Sequence, residues 1–141
     1  MGTRSLTHII DNDFDRDEHL CTIYRQYDGY PEGHGRDLVD FITSRKFVNG
    51  ISGDPTEVFN GAGCFAAALV AYLKTQCNGQ RDAIEAGGVY LHPPTTENPE
   101  EYNYTVTISG PEVALLIETY TGDVIFEGSP TEFVPLLEER R

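Results

Sequence analysis

The sequence predicts an α+β domain in which a largely antiparallel sheet is packed by two or three helices. Three observations predict this class. Strand-like runs follow one another in the second half of the chain, helix-like segments cluster near its middle, and the two patterns do not alternate. A length of 141 residues suits one domain, so we expect a single domain over residues 1–141.

The first half of the chain predicts a hairpin followed by two helices. Residues 5–11 and 19–27 are rich in β-branched and aromatic side chains and flank a polar turn, as hairpin strands do. Residues 36–47 carry apolar side chains at helical spacing. Residues 51–63 have the composition of an irregular loop. Residues 64–76 are apolar nearly all round, which indicates a buried helix.

The second half predicts four strands and a final helix. The strands span residues 87–94, 101–109, 112–120 and 123–128. Thr121-Gly122 between the last two strands is a hairpin signal. Ser129 and Glu132 have the spacing of a capping box at the start of a helix over residues 129–141. Pro135 would remove a hydrogen bond inside that helix, which predicts that it is short or begins later.

The net charge of the chain limits the classes of partner that it can bind. The formal net charge is −13, and residues 82–139 hold 12 acidic residues and no Lys or Arg. A broad face for nucleic-acid phosphates is therefore excluded. The acidic half is a solvated surface or a face that blocks a basic partner. No apolar run approaches the roughly 18 residues of a membrane span, and the first residues lack the pattern of a signal peptide. These observations predict a cytoplasmic protein that does not bind membranes.

The segment DGYPEGHG before the first predicted helix is the leading candidate for a ligand site. A glycine-rich turn that enters a helix directs backbone N–H groups outward at the positive end of the helix dipole, which suits a phosphate or carboxylate. Arginines would supply charge, a histidine would donate to the anion, and tyrosines would stack on a planar ring. The candidate ligand-binding residues are Arg4, Arg25, Tyr27, Asp28, Gly29, Tyr30, Gly33, His34, Gly35 and Arg36. A purely structural turn is the competing interpretation.

Other chemistry has weaker support in the sequence. DNDFDRDEHLCT fails as an EF-hand loop, because Arg16 stands where Gly is required and Thr22 where Glu is required. No histidine spacing indicates a metal site, the three cysteines form no CxxC pair, and we expect no metal or cofactor. An enzymatic alternative uses His34 and Asp28 as acid and base, with Cys64 near a helix start as a nucleophile.

The start of the chain resembles a family of short uncharacterised proteins from phages and bacteria, with relatives in fungi. The residues concerned are MGTRS at the N-terminus and the pattern Y-x-Q-[aromatic]-D-G-Y-P-x-G-x-G, which here runs from Tyr24 to Gly35. The aromatic position, often Trp in that family, is Tyr27 here. The resemblance covers about the first third of the chain and carries no established activity. It implies a cytoplasmic accessory protein, encoded by a phage.

Three hypotheses of function follow. The first is a non-enzymatic protein that binds a small anionic or nucleotide-like ligand at the DGYPEGHG loop and sequesters a host signal molecule. The second is a small hydrolase or transferase that uses His34 and Asp28. The third is an acidic interaction module that blocks a basic partner through residues 82–139. Edge strands of the predicted sheet are candidate contacts for a homo-oligomer.

Overall fold

The computed structural model describes residues 3–13, 17–48, 58–75, 88–94 and 98–133. The strands are β1 (Ser5–Asp11), β2 (Glu18–Arg25), β3 (Lys46–Val48), β4 (Val58–Asn60), β5 (Val89–His92), β6 (Tyr102–Ser109), β7 (Glu112–Thr119) and β8 (Val124–Gly128). The helices are α1 (Arg36–Ile42), which directly continues a π-helical turn (Pro31–Gly35), and α2 (Gly61–Thr75). Residues 130–133 are also helical. The predicted α+β class is confirmed.

A six-stranded sheet in the order β5-β2-β1-β6-β7-β8 forms the body of the molecule. Its neighbouring strands are antiparallel except β1 and β6, which run parallel. The two predicted hairpins, β1–β2 and β7–β8, are both confirmed. The second turns at Thr121-Gly122, where Gly122 has a φ of +87° that glycine adopts without steric cost.

The helices cover one face of this sheet, which we call the inner face. It carries Thr7 and Ile9 from β1, Ile23 from β2 and Tyr104 from β6, because alternate residues of a strand point to the same side. The α2 helix buries a stripe of side chains against this face, and the apolar side chains of both elements join one core cluster. The opposite, outer face begins with Leu6 and His8. The inner face therefore holds the core, and the polar residues on it need partners inside the protein.

The first predicted helix is shorter than the sequence indicates. It was expected over residues 36–47, but α1 ends at Ile42. Two hydroxyl side chains donate to its last carbonyl groups, Thr43 Oγ1 to Val39 O at 2.8 Å and Ser44 Oγ to Phe41 O at 2.6 Å. Such local side-chain bonds compete with continuation of a helix. The chain then enters β3, which pairs in parallel with β4, so part of the predicted loop 51–63 is a strand.

The capping box predicted at residue 129 is present in one of its two bonds. The backbone N–H of Ser129 donates to Glu132 Oε1 at 3.0 Å, the reciprocal bond of that motif. The Ser129 hydroxyl contacts Thr131 Oγ1 at 3.0 Å, and the Glu132 N–H donates to Ser129 O instead of to that hydroxyl. Pro135 and the end of the final helix lie outside the described residues. In the parts of the chain that the structure describes, no helix is long and apolar enough to cross a membrane.

Candidate ligand-binding site

Three backbone donors of the DGYPEGHG loop bond to the protein itself. Gly29 N–H donates to Thr3 O, Gly33 N–H to Tyr30 O and His34 N–H to Asp28 O, at 2.6–2.9 Å. Asp28 has a φ of +60°, a left-handed conformation that Asp tolerates better than most residues. A Cβ added to Gly33 would lie 2.5 Å from Asp28 O. The glycine pattern is therefore explained by close backbone packing, and these three N–H groups are not directed at a ligand.

Below the loop lies a buried polar network on the inner face. Arg25 is 1% exposed, and its Nη1 donates to Asp37 Oδ2 at 2.8 Å and to His34 Nδ1 at 3.1 Å. Because a guanidinium can only donate, His34 Nδ1 accepts and its proton is on Nε2. That Nε2–H donates to Thr7 Oγ1 at 2.7 Å. Both ring nitrogens of His34 are thus occupied by protein groups.

Burial sets the protonation of this network. Desolvation, followed by the nearby Arg25 charge, holds the pKa of His34 well below its usual value, so the ring is neutral at neutral pH. The edge of His34 meets the ring of Tyr104 at a centroid distance of 4.7 Å. The Tyr104 hydroxyl donates to Gly29 O at 2.7 Å, and burial raises its pKa well above the usual range. The network ties β1, β2 and β6 to the loop above them.

The structure does not bring the remaining candidate residues together around one ligand position. Arg4, Tyr27 and Tyr30 are exposed, and Arg4 forms no ion pair with Asp28 in this structure. A Cβ on Gly35 would lie 3.1 Å from Phe133, so that glycine serves packing. Arg36 retains one feature of an anion site. Its Nη1 is enclosed by protein and has no hydrogen-bond partner among the described residues.

A separate cavity of about 360 Å³ opens between the end of α1, β3, the β6–β7 turn and the start of the final helix. Its apolar wall consists of Ile42, Phe47, Pro111, Val113 and Pro130. Its polar lining consists of two cationic and three hydroxyl side chains: Thr43, Arg45, Lys46, Ser129 and Thr131. Among the described residues that line it there is no acidic side chain, although the chain carries a net charge of −13.

Local structure explains why these residues meet. Because α1 ends early, Arg45 and Lys46 lie at the entry to β3, with two residues between them and the helix. The Arg45 guanidinium lies 5.2 Å from the centroid of the Phe59 ring, a cation–π distance. Phe47 is buried against Phe59 and Phe65, which anchors β3. Opposite them, the capping box at Ser129 fixes the hydroxyl side of the cavity.

A second polar cluster lies on the outer face of the sheet. His8 Nδ1 is 3.3 Å from His19 Nε2, and Thr22 Oγ1 lies 2.9 Å from the first and 3.0 Å from the second. His8 also borders a cavity of about 310 Å³ that includes Asn103 and Glu118. Burial, followed by the neighbouring His19, lowers the pKa of His8.

Comparisons of the chain with protein-family models, with curated proteins and with solved structures give no match. The assignment of a site therefore depends on geometry alone.

The sequence analysis missed the cavity beside α1. One signal was present: Arg45-Lys46 is the one adjacent pair of basic residues besides Arg140-Arg141. The prediction placed both residues inside a helix over residues 36–47. The hydroxyl residues of the opposite wall are about 85 positions away in sequence and depend on the sheet topology to reach the pair.

Proposed function

We propose that this protein binds a small anionic ligand with an apolar body in the cavity lined by Arg45 and Lys46. The proposal retains the class of function that the sequence predicts, a non-enzymatic cytoplasmic binding protein, and changes its site. One observation carries it: within a strongly acidic chain, the cavity combines two cations and three hydroxyls with an apolar wall, and acidic groups are absent from its described lining.

The dimensions support a small molecule as the ligand. Ligand sites are usually clefts of about 300–1,000 Å³ with mostly apolar walls and a few polar groups that fix orientation. At about 360 Å³ the cavity lies at the lower end of that range. Ile42 and Val113 would contact a ring or a short chain, and Lys46 with Thr131 would contact a carboxylate, phosphate or sulfonate.

The DGYPEGHG loop is a weaker candidate than the cavity for the ligand site. His34 and Arg25, which were expected to contact a ligand, are buried and bonded to Thr7 and Asp37. The same contacts bear on the enzymatic alternative, since in this conformation neither ring nitrogen of His34 is available for proton transfer. Among the residues expected to bind a ligand there, Arg36, the first residue of α1, best fits an anion because its Nη1 is enclosed without a hydrogen-bond partner among the described residues.

Fluorescence titration with 8-anilinonaphthalene-1-sulfonate, an aromatic sulfonate of this chemistry, tests the proposal. We expect saturable binding to the native protein and a loss of at least about tenfold in affinity for Lys46→Glu, a change of about 1.4 kcal/mol. Arg4→Glu makes the same change in net charge at an exposed site outside the cavity and should leave the affinity unchanged. Equal affinities for the native protein and Lys46→Glu would overturn the assignment.

A further inference from the structure

The outer face of the sheet brings together two histidines that are separated by 10 residues in the sequence, His8 on β1 and His19 on β2. A register shift produces this meeting. Ile9 pairs with Cys21, but the next residue, Ile10, pairs with His19, so Leu20 is an extra residue in β2. Without this bulge His19 would lie on the inner face with Cys21 and Ile23, because side chains alternate along a strand. Bulges often redirect a side chain at a functional position.

The spacing of the two rings suits a shared cation. His8 Nδ1 and His19 Nε2 are 3.3 Å apart. Two imidazole nitrogens that bind one tetrahedral Zn²⁺ at about 2.0–2.1 Å lie about 3.3–3.4 Å from each other. Thr22 Oγ1 lies 2.9 Å from His8 Nδ1 and 3.0 Å from His19 Nε2, so a metal ion bound between the rings would replace the hydrogen bonds that these atoms make to one another.

We propose that His8 and His19 bind a divalent transition-metal ion such as Zn²⁺ on the outer face of the sheet. Imidazole is a preferred ligand of zinc, copper and nickel ions. Within the described ranges, no group of three or more His, Cys, Asp or Glu side chains is placed to hold a metal. The two imidazoles are therefore the protein ligands, and water fills the remaining positions.

This site is independent of the cavity beside α1, because it lies on the other face of the sheet and uses none of the same residues. The strongly acidic chain favours its occupation, since a net charge of −13 raises the local concentration of cations. A third histidine, His92, lies on the same face as the cross-strand neighbour of Thr22, with its ring stacked on Tyr24. It provides a control of the same residue type.

NMR of the histidine rings during a Zn²⁺ titration of the untagged protein tests this inference. The resonances of His8 and His19 should shift together and saturate at one equivalent, while the buried His34 is unaffected. This readout separates the site from zinc bound at the exposed thiol of Cys64. Saturating zinc that leaves the His8 and His19 resonances unchanged would overturn the proposal, and this part of the test requires no variant.

Substitutions provide the second arm. His8→Gln and His19→Gln should each weaken zinc binding at this site by at least about tenfold, since even partners of ligands contribute that much. His92→Gln should retain the native affinity. A His92→Gln variant that loses as much affinity as His8→Gln would contradict a site built from the His8–His19 pair.

Discussion

Two regions of this molecule place cationic side chains next to hydroxyl and apolar groups, and they use them differently. Below the DGYPEGHG loop, Arg25 donates hydrogen bonds to Asp37 and His34 inside the protein. Beside α1, Arg45 and Lys46 line a cavity of about 360 Å³. A dense group of polar residues in a sequence therefore does not distinguish an internal network from a ligand site. The difference lies in where the fold places the cations, because Arg25 is enclosed by protein while Arg45 and Lys46 face a cavity.

The largest expected effect is the loss of stability on replacing Arg25. Arg25→Met removes the donor from Asp37 and from His34 Nδ1, and breaking a buried ion pair typically costs about 3–5 kcal/mol. Asp37 is partly exposed, so we expect about 3 kcal/mol by urea denaturation. A loss below about 1 kcal/mol would show that the network does not hold the loop. Binding of the sulfonate probe to the folded fraction should persist.

The next effect concerns the close packing of the loop. Gly33→Ala places a Cβ 2.5 Å from Asp28 O, a backbone atom, and overpacking of this kind costs about 1–3 kcal/mol. Gly63→Ala is the matched control, because Gly63 lies in α2 and its added Cβ would meet nothing within 4 Å. That substitution should stabilise the protein by about 0.5–1 kcal/mol. Equal effects of the two changes on the unfolding free energy would contradict the packing account.

A smaller effect is the dependence of stability on pH. The pKa of His34 is lower in the folded protein than in the unfolded chain, so the unfolded chain binds the proton first as pH falls. The stability from neutral His34 is therefore complete above about pH 6.5 and is lost as pH decreases below that value, by up to about 1.4 kcal/mol per pH unit.

His8, whose pKa is also lowered, adds to the same slope. Below about pH 6.5, the unfolding free energy of His34→Gln should therefore fall less steeply with decreasing pH than that of the native protein. Some dependence on pH should remain. Identical slopes for the native protein and this variant would show that His34 carries no proton linkage.

The smallest expected effect on stability is at the cavity. Lys46 is exposed, and substitutions at exposed positions usually change stability by less than about 0.5 kcal/mol. Lys46→Glu should therefore unfold at nearly the native urea concentration while it loses affinity for the sulfonate probe. If Lys46→Glu lost as much stability as Arg25→Met, Lys46 would hold the fold as Arg25 does. The contrast between the buried network and the cavity would then not exist.

Much of the fold could be predicted from local patterns. The alternation in residues 101–109 and the Thr121-Gly122 turn act within a few residues, and both are confirmed. The Ser129–Glu132 capping box, also local, is present in one of its two bonds. The parallel pairing of β1 with β6 joins segments nearly 100 residues apart, and no local signal specifies it. The bulge at Leu20 has no local signal either, and the end of α1 depended on two hydroxyl bonds that propensity does not predict.

The candidate site was less predictable for the same reason. The sequence identified a conspicuous cluster of glycines, tyrosines and arginines, and the structure places much of that cluster in backbone packing and a buried network. The cavity beside α1 combines short segments from three parts of the chain, and each segment alone is unremarkable. Whether distant segments meet depends on the topology of the sheet, and the composition of each segment does not predict it.

Mapping of backbone amide shifts by NMR while 8-anilinonaphthalene-1-sulfonate is added tests the central claim most directly. The account predicts that the perturbed amides cluster in segments 42–47, 111–113 and 129–131, which contain the residues that line the cavity, and that residues 28–36 are unaffected. Perturbations centred on residues 28–36, with the cavity residues unchanged, would contradict it and return the site to the DGYPEGHG loop.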